Sequence, residues 1–195
     1  MKRIVLTGGP GAGKTVVGRA LVAAHGDRYL LVPEAATQVY DLLKTRWDRL
    51  DVAGRRDVQR RIYRLQVDQE HRYAAQAAGR DLLLDRGTID GAAYWPDGPE
   101  DYWRDLGTTH AAELARYDSV IWLETSAVLG IYDADASNPC RFEHPEAAIA
   151  SGVKLKRLWS AHPHLHFVGA FASLDDKIAA VTEVIARAAE RRPYT

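Results

Sequence analysis

A glycine-rich loop close to the amino terminus constrains the fold of this chain more than any other feature. Residues 8–15 match the pattern G-x-x-x-x-G-K-[ST]. An apolar run at residues 4–6 precedes the loop, and a helix-like stretch at residues 16–24 follows it. A strand, a tight turn and a helix amino terminus in this order direct backbone N–H groups and the helix dipole toward an anion. The sequence therefore predicts a phosphate-binding loop formed by Gly8, Gly9, Pro10, Gly11, Ala12, Gly13, Lys14 and Thr15.

Lys14 and Thr15 carry the chemistry of such a loop. The lysine reaches the β- and γ-phosphates of a nucleotide, and the threonine hydroxyl ligates Mg²⁺. A dinucleotide-binding fingerprint fits the glycines less well, because that pattern requires a small residue where Lys14 stands. The expected ligand is therefore a nucleoside triphosphate with Mg²⁺.

Composition bounds the class of protein. The 195 residues predict a single domain over 1–195, and 26 basic against 26 acidic residues leave no net charge to attract nucleic acid or a membrane surface. A single cysteine, Cys140, excludes an internal disulfide and fits a reducing compartment. Strand-like residues at the start leave no room for a signal peptide, and no apolar run approaches membrane-spanning length. We expect a cytoplasmic protein with no nucleic-acid or membrane partner, and a homodimer through an exposed helix stays open.

The order of elements indicates the fold class. Short apolar runs typical of buried parallel strands alternate with helical patterns, and the last helix begins with a capping box at Ser173 and Asp176. The alternation predicts an α/β fold whose five-stranded parallel sheet has helices on both faces. With the glycine-rich loop at 8–15, we expect a P-loop NTPase three-layer sandwich, and as a phosphotransferase it would have a lid segment at 133–160. The predicted strands are 3–7, 29–33, 81–85, 119–124 and 165–168, and the main predicted helices are 16–25, 34–50, 55–78, 108–116 and 143–160.

Ligands of such sheets bind at the carboxyl ends of the strands, so the residues after each strand are the candidates. Glu34, after the second strand, can accept a proton from an attacking hydroxyl, or it can simply complement a helix dipole. Asp85, at the end of the third strand, can hold Mg²⁺ or merely cap a turn. Arg86 follows, and its guanidinium can grip a phosphate or substrate oxygen or form an ordinary surface ion pair.

Further candidates lie beyond that turn. Asp90, Tyr94 and Trp95 can line an acceptor pocket, although aromatic residues at this spacing are also typical of a core. Arg141, in the lid segment, is a candidate arginine finger for the transferring phosphoryl group. Three alternating histidines either bind a metal or form hydrogen bonds within the sheet: His162, His164 and His166.

Several stretches together resemble a known family. They are residues 8–15, VPEAA at 32–36, LDRG at 84–87 and DGAAY at 90–94. This set is similar to the AAA-type P-loop family that includes the ribosylnicotinamide kinase domain of the bacterial NAD regulator, and more distantly to nucleoside and nucleotide kinases. The resemblance implies ATP and Mg²⁺ as cofactors. It also implies Glu34 as the base, Asp85 as the magnesium residue, Arg86 as a substrate ligand and Arg141 as part of the lid.

The leading hypothesis is a kinase that transfers the γ-phosphoryl group of ATP to a hydroxyl of a small, nucleoside-like metabolite. The alternative is a regulatory P-loop NTPase or nucleotide-dependent switch without a small-molecule acceptor. No [NT]-K-x-D guanine motif occurs, and Arg rather than Glu follows Asp85, which disfavours a GTPase switch and a mechanical ATPase. The predicted site comprises catalytic Lys14, Glu34, Asp85 and Arg141, substrate-binding Glu34, Arg86, Asp90 and Tyr94, and metal-binding Thr15 and Asp85.

Overall fold

The computed structural model of the chain describes residues 1–131 and 144–190. Within these ranges the strands are β1 (Arg3–Thr7), β2 (Tyr29–Val32), β3 (Asp81–Asp85), β4 (Ser119–Leu123) and β5 (Leu165–Val168). They form one sheet in the order β2-β3-β1-β4-β5, and every pairing is parallel. The predicted five-stranded parallel sheet is confirmed.

Helices cover both faces of the sheet in these ranges. The α-helices are α1 (Lys14–Ala24), α2 (Ala35–Leu43), α3 (Val52–Gln76), α4 (Pro99–Leu106), α5 (His110–Leu114), α6 (Pro145–Trp159) and α7 (Leu174–Glu190). Short 3-10 segments occupy Trp47–Arg49, Thr88–Tyr94 and Ser126–Leu129. Half of the predicted capping box is shown, since the Asp176 N–H donates to the Ser173 hydroxyl at 3.4 Å.

The single helix predicted over 34–50 is wrong in extent. The helix ends at Leu43 because Lys44 adopts the left-handed conformation, with a φ of 51°. A turn follows, and α3 then begins with Asp51, whose side chain accepts a hydrogen bond from the Gly54 N–H at 2.7 Å. This break separates α2 from α3 and brings Trp47 between them.

A second difference is α4, which follows a turn at 96–97 and is absent from the predicted helices. Pro99 occupies the first turn of this helix, a position where its missing N–H costs nothing. Gly107 closes the helix in the left-handed conformation, with a φ of 68°. The aromatic residues of α4, Tyr102 and Trp103, are buried against the sheet layer.

Apolar side chains fill both sides of the sheet, as parallel strands covered on two faces require. Because β1, β3 and β4 lie in the middle of the sheet, their carboxyl ends are held at fixed positions relative to one another. One core contains Leu6, Leu21, Leu83, Ile121 and Val181, and the other contains Val5, Leu84, Tyr102, Val120 and Trp159.

None of the helices in the described ranges has the length and hydropathy that a membrane crossing requires.

Gly91 tests the packing beneath the site. A Cβ at Gly91 would lie 2.3 Å from the hydroxyl oxygen of Tyr102, whose side chain is fully buried. We therefore expect Gly91→Ala to lower the free energy of unfolding by about 1–3 kcal/mol in urea denaturation. Gly169→Ala is the matched control, because a Cβ there would meet no described atom within 4 Å. Equal stability of the two variants would contradict this packing.

Candidate active site

The loop between β1 and α1 packs closely against the end of β4. Gly8 has a φ of 140°, and a Cβ there would lie 2.2 Å from the Leu123 carbonyl oxygen. Only glycine permits both this backbone conformation and this approach. Gly13 then leads into α1 with a φ of 80°. The structure therefore has the predicted order of strand, loop and helix.

Lys14 lies inside this loop. Its side chain is buried, and its Nζ donates hydrogen bonds to the carbonyl oxygens of Gly8 and Gly9, both at 2.9 Å. The loop therefore holds a cation among its backbone groups at the amino end of α1. Fixed positive charge and a helix dipole act together at this point.

Thr15 and Asp85 meet across the ends of β1 and β3. The Thr15 hydroxyl donates to Asp85 Oδ2 at 2.5 Å. The other carboxylate oxygen, Oδ1, is buried and has no hydrogen-bond partner in the described part of the chain. Burial and the negative charge of Glu34 raise the pKa of Asp85, while the Lys14 ammonium and the Thr15 hydrogen bond oppose the rise.

These two residues fit a hard divalent cation. Mg²⁺ prefers oxygen ligands such as a carboxylate and a hydroxyl. A buried carboxylate oxygen without a partner is costly unless something positive or hydrogen-bonding satisfies it. The orphaned Oδ1 of Asp85, beside the Thr15 hydroxyl, is consistent with the predicted pair of magnesium residues.

Arg86 joins two acidic side chains next to this pair. Its Nε donates to Glu34 Oε1 at 2.6 Å and its NH1 donates to Asp90 Oδ2 at 3.0 Å. Burial works against the charged guanidinium, but the acidic groups of Tyr94, Glu34 and Asp90 outweigh it and raise the pKa of Arg86. The guanidinium is therefore a permanent cation that fixes the Glu34 carboxylate.

Asp90 anchors this arrangement to the rest of the sheet. Its carboxylate accepts hydrogen bonds from the Thr7 hydroxyl at 2.9 Å and from Trp159 Nε1 at 2.7 Å, besides the contact with Arg86. Thr7 ends β1 and Trp159 ends α6. Asp90 was predicted as a substrate residue, and the structure shows its oxygens engaged with these protein groups while the residue still borders a cavity.

A cavity of about 220 Å³ opens beside the loop. Pro10 lies at one side of it, and Glu34 and Arg86 lie on its wall. Tyr94 also lines it, with its ring centroid 6.0 Å from the Arg86 guanidinium carbon. Trp95 packs in the core instead, where its ring contacts Tyr102 at a centroid distance of 5.3 Å. Other aromatic walls are Tyr40, Trp47, Tyr63 and Tyr102.

The polar wall of the cavity comes from α3 and was not predicted. Gln59 and Gln66 are both buried and border the cavity, and Gln66 Nε2 donates to the Arg86 carbonyl oxygen at 3.3 Å. Their spacing of seven residues places them on one face of the helix. A polar stripe on a helix that packs against the sheet is the sequence pattern that indicates such a wall.

Glu113 supports this wall from behind. It accepts hydrogen bonds from Thr88 Oγ1 at 2.6 Å and from the Tyr63 hydroxyl at 2.8 Å. Burial, together with the hydrogen bond to Glu113, raises the pKa of Tyr63 to about 12. Tyr102 donates to the Thr88 carbonyl oxygen at 3.1 Å. On this side the cavity is therefore lined by neutral hydroxyl and amide groups, and hydrogen bonds fix the orientations of Tyr63, Tyr102 and Gln66.

The predicted site residues that the structure describes gather at the carboxyl ends of the strands, whereas His162 and His164 are engaged elsewhere in the protein. Arg141 lies outside the described residues. His162 is buried and its Nε2 contacts the Tyr117 carbonyl oxygen at 3.0 Å, while its Nδ1 accepts from the His164 N–H at 3.1 Å. Across residues 1–131 and 144–190 no group of three or more metal-binding side chains is found.

The fold and the loop define the class of protein: an α/β P-loop domain with its ligand edge at the carboxyl ends of the strands. A family model for an AAA domain matches residues 3–177, and the chain belongs to this family. No curated protein matches the sequence.

Solved structures of similar fold include nucleotide-related enzymes. One is deoxyadenosine kinase from M. mycoides, solved with the products dCMP and a flexible dCDP, which is 13% identical in sequence with a TM-score of 0.67. The match covers 95% of this chain and 99% of that chain. NadR in complex with NAD and AMP-PNP is 14% identical, with a TM-score of 0.67 and 100% of this chain covered. The match spans 51% of the NadR chain, about half of its length. At these identities the likeness concerns the fold.

Asp85 gives a prediction in which stability and ligand binding move in opposite directions. Because its pKa is raised in the folded chain, its contribution to folding is fully present below its ordinary value of 3.8 and is lost as the pH rises through the raised value. We expect Asp85→Asn at pH 7 to stabilise the ligand-free protein by about 1 kcal/mol, roughly 2–4 °C in calorimetry, and to abolish magnesium-dependent nucleotide binding.

The control for this prediction is Asp57→Asn. Asp57 forms an exposed ion pair with Arg61 on α3, so its loss should change stability by less than about 0.5 kcal/mol. The gain in Asp85→Asn should shrink as the pH falls toward 4. A lower unfolding midpoint at pH 7 together with unchanged magnesium dependence would show that Asp85 is only a structural cap.

Proposed function

We propose that the protein is an ATP- and Mg²⁺-dependent phosphotransferase that phosphorylates a hydroxyl of a small, nucleoside-like metabolite. One observation carries this proposal: a cavity of about 220 Å³ adjoins the phosphate-binding loop and has a carboxylate, Glu34, on its wall. A second small molecule bound there would present a hydroxyl beside the terminal phosphate. A regulatory NTPase has no need of such a chamber.

The similar structures support the class of both substrates. They bind AMP-PNP and dATP, which are consistent with a nucleoside triphosphate as the donor. They also include deoxyadenosine kinase with dCMP and NadR in complex with NR. Aromatic walls with a few fixed amide and hydroxyl groups suit a flat ring joined to a polar sugar.

Transfer would proceed by positioning and charge stabilisation. The acceptor hydroxyl oxygen forms a bond to the γ-phosphorus, its proton passes to Glu34, and the bond to the bridging oxygen breaks to release ADP. Lys14 and the loop N–H groups stabilise charge on the phosphates, and Arg86 keeps Glu34 oriented toward the cavity. Thr15 and Asp85 would hold Mg²⁺, which neutralises phosphate charge when bound.

The acceptor is found by measuring ADP release from ATP with pooled metabolites and without them. A kinase is nearly silent alone and yields a phosphorylated product when its acceptor is present. Steady ATP hydrolysis that no metabolite alters would favour the regulatory NTPase instead. Arg141 stays a prediction in this scheme as the cation that completes the site from the lid segment.

Lys14→Ala is expected to abolish transfer. It removes the cation that the loop holds beside the phosphates, and the loss of such a charge-stabilising group costs at least about 10²–10³ in rate. The measurement is acceptor-dependent ADP release at saturating ATP. Lys2→Ala should keep full activity, because Lys2 lies at the amino end of β1 and the phosphate-binding loop follows its carboxyl end. Full turnover by Lys14→Ala would refute the mechanism.

Glu34→Gln is expected to slow the chemical step by about 10²–10⁴ while nucleotide binding survives. The amide cannot accept the proton, but it keeps the size of the side chain and a carbonyl oxygen for Arg86 Nε. Single-turnover phosphoryl transfer measures the step, and calorimetry with AMP-PNP and Mg²⁺ measures binding. An unchanged single-turnover rate would reduce Glu34 to a helix-terminal partner of Arg86.

A further inference from the structure

The phosphate-binding loop is held from behind by two side chains that lie far from it in sequence. Lys177, on α7, donates from Nζ to the carbonyl oxygens of Ala12 at 3.2 Å and Glu124 at 2.9 Å. Thr125, two residues after the end of β4, donates from its hydroxyl to the carbonyl oxygen of Pro10 at 2.6 Å. Both side chains are buried.

The direction of these carbonyl groups decides where the loop amides point. In a trans peptide the C=O and the following N–H lie in one plane and point in opposite directions. Because Lys177 draws the Ala12 carbonyl to one side, the Gly13 N–H points to the other side. Thr125 has the same effect on the Pro10 carbonyl and the Gly11 N–H. Glycine at positions 11 and 13 leaves these peptides free to rotate unless something holds them.

We propose that Lys177 and Thr125 are positioning residues that aim the Gly13 and Gly11 amides into the anion site. The lysine also brings a positive charge to the back of the loop. Because Lys177 is only 4% exposed, the two carbonyl oxygens supply the contacts that water would otherwise make to its ammonium group. Burial lowers the pKa of Lys177, and the Glu124 charge opposes this shift. The inference rests on the nucleotide binding of the proposed function and concerns the affinity for phosphates, not the acceptor.

Alternative roles for Lys177 leave part of this geometry unexplained. A lysine that only joined α7 to the sheet would need the Glu124 carbonyl and not that of Ala12. Thr125 caps the 3-10 segment Ser126–Leu129 by accepting from the Ala127 N–H at 3.3 Å, a role that needs the hydroxyl oxygen as acceptor. The hydrogen of the same hydroxyl is directed at Pro10, which capping does not require.

Calorimetric titration with AMP-PNP and Mg²⁺ tests the proposal without any acceptor. Lys177→Met should weaken binding by about tenfold to a hundredfold, as the loss of hydrogen bonds from a charged group predicts. Lys2→Met removes the same charge at the amino end of β1, away from the loop, and should bind AMP-PNP within about twofold of the wild-type affinity. A folded Lys177→Met variant with wild-type affinity would overturn the role of the lysine.

Thr125 supplies a matched pair that does not depend on the folding of the lysine variant. Thr125→Val keeps the shape but loses the donor, and should weaken binding by about threefold to tenfold. Thr125→Ser keeps the hydroxyl and should restore the wild-type affinity, whereas a merely structural role for the methyl group would reverse this order. Equal affinities of the valine and serine variants would overturn the proposal for Thr125.

Amide NMR of the ligand-free protein separates this inference from the proposed function. Lys177→Met should shift the Gly13 amide signal and Thr125→Val the Gly11 signal, while Lys2→Met moves neither. A wild-type protein that binds no nucleotide but shows these shifts would sink the proposed function and leave the positioning intact. Unmoved glycine signals in folded variants would sink the positioning, whatever the protein phosphorylates.

Discussion

The largely buried ion pairs of Arg86 form the interaction on which the rest of the site depends. This guanidinium lies between Glu34, after β2, and Asp90, after β3, and Asp90 extends the contact to Thr7 at the end of β1. Taking such charges out of water is expensive, and removing one partner leaves the other buried without compensation. The arrangement therefore holds only while all its members are present, which makes the relative position of the three strand ends a single cooperative property.

The backbone at Arg86 adopts an unfavourable conformation in this arrangement. Its φ of 79° lies in the left-handed region, which non-glycine residues rarely adopt. The Arg86 N–H nevertheless donates to the Leu6 carbonyl oxygen at 3.0 Å, which continues the β1–β3 pairing past the end of the strand. The turned backbone at this point lets Asp85 meet Thr15 while the next side chain reaches Glu34. Strain of this kind persists only where the surroundings over-determine it, and it is frequent at functional sites.

Sequence reasoning recovered the strands and the loop because their determinants are local. Strands buried on both faces appear as continuous apolar runs, and β1, β3 and β5 have the predicted bounds. The end of α2 has no such local signal, since the left-handed residue that ends it is Lys44 and not a glycine. The helix α4 was missed because Pro-Asp-Gly-Pro at 96–99 is equally typical of a turn and of a helix start.

The same distinction explains which parts of the site were found. The loop pattern fixes glycine at its first and sixth positions and leaves the second open, yet Gly9 is required here because a Cβ would lie 2.7 Å from the Ala148 carbonyl oxygen on α6. That requirement belongs to the packing of α6 and cannot be read from residues 8–15. The polar wall of α3 escaped for a related reason. Gln59 and Gln66 look like solvent-facing residues of a long polar helix, but they are buried where α3 packs against the sheet and the 3-10 segment Thr88–Tyr94.

Each charged side chain of the site forms a hydrogen bond with another protein group, and these bonds determine what a ligand must do. The Lys14 ammonium donates to loop carbonyl oxygens, the Thr15 hydroxyl to Asp85, and the Arg86 guanidinium to Glu34. A phosphate that takes the Lys14 ammonium must replace two carbonyl hydrogen bonds, and it can do so because an anion forms stronger hydrogen bonds than a neutral oxygen. Asp85 gains as well, since its buried Oδ1 has no described partner and Glu34 already disfavours its charge. A phosphate bound together with a cation would therefore satisfy both Lys14 and Asp85. A phosphate alone would leave the Asp85 carboxylate without compensation, and a cation alone would leave Lys14 on the loop carbonyl oxygens.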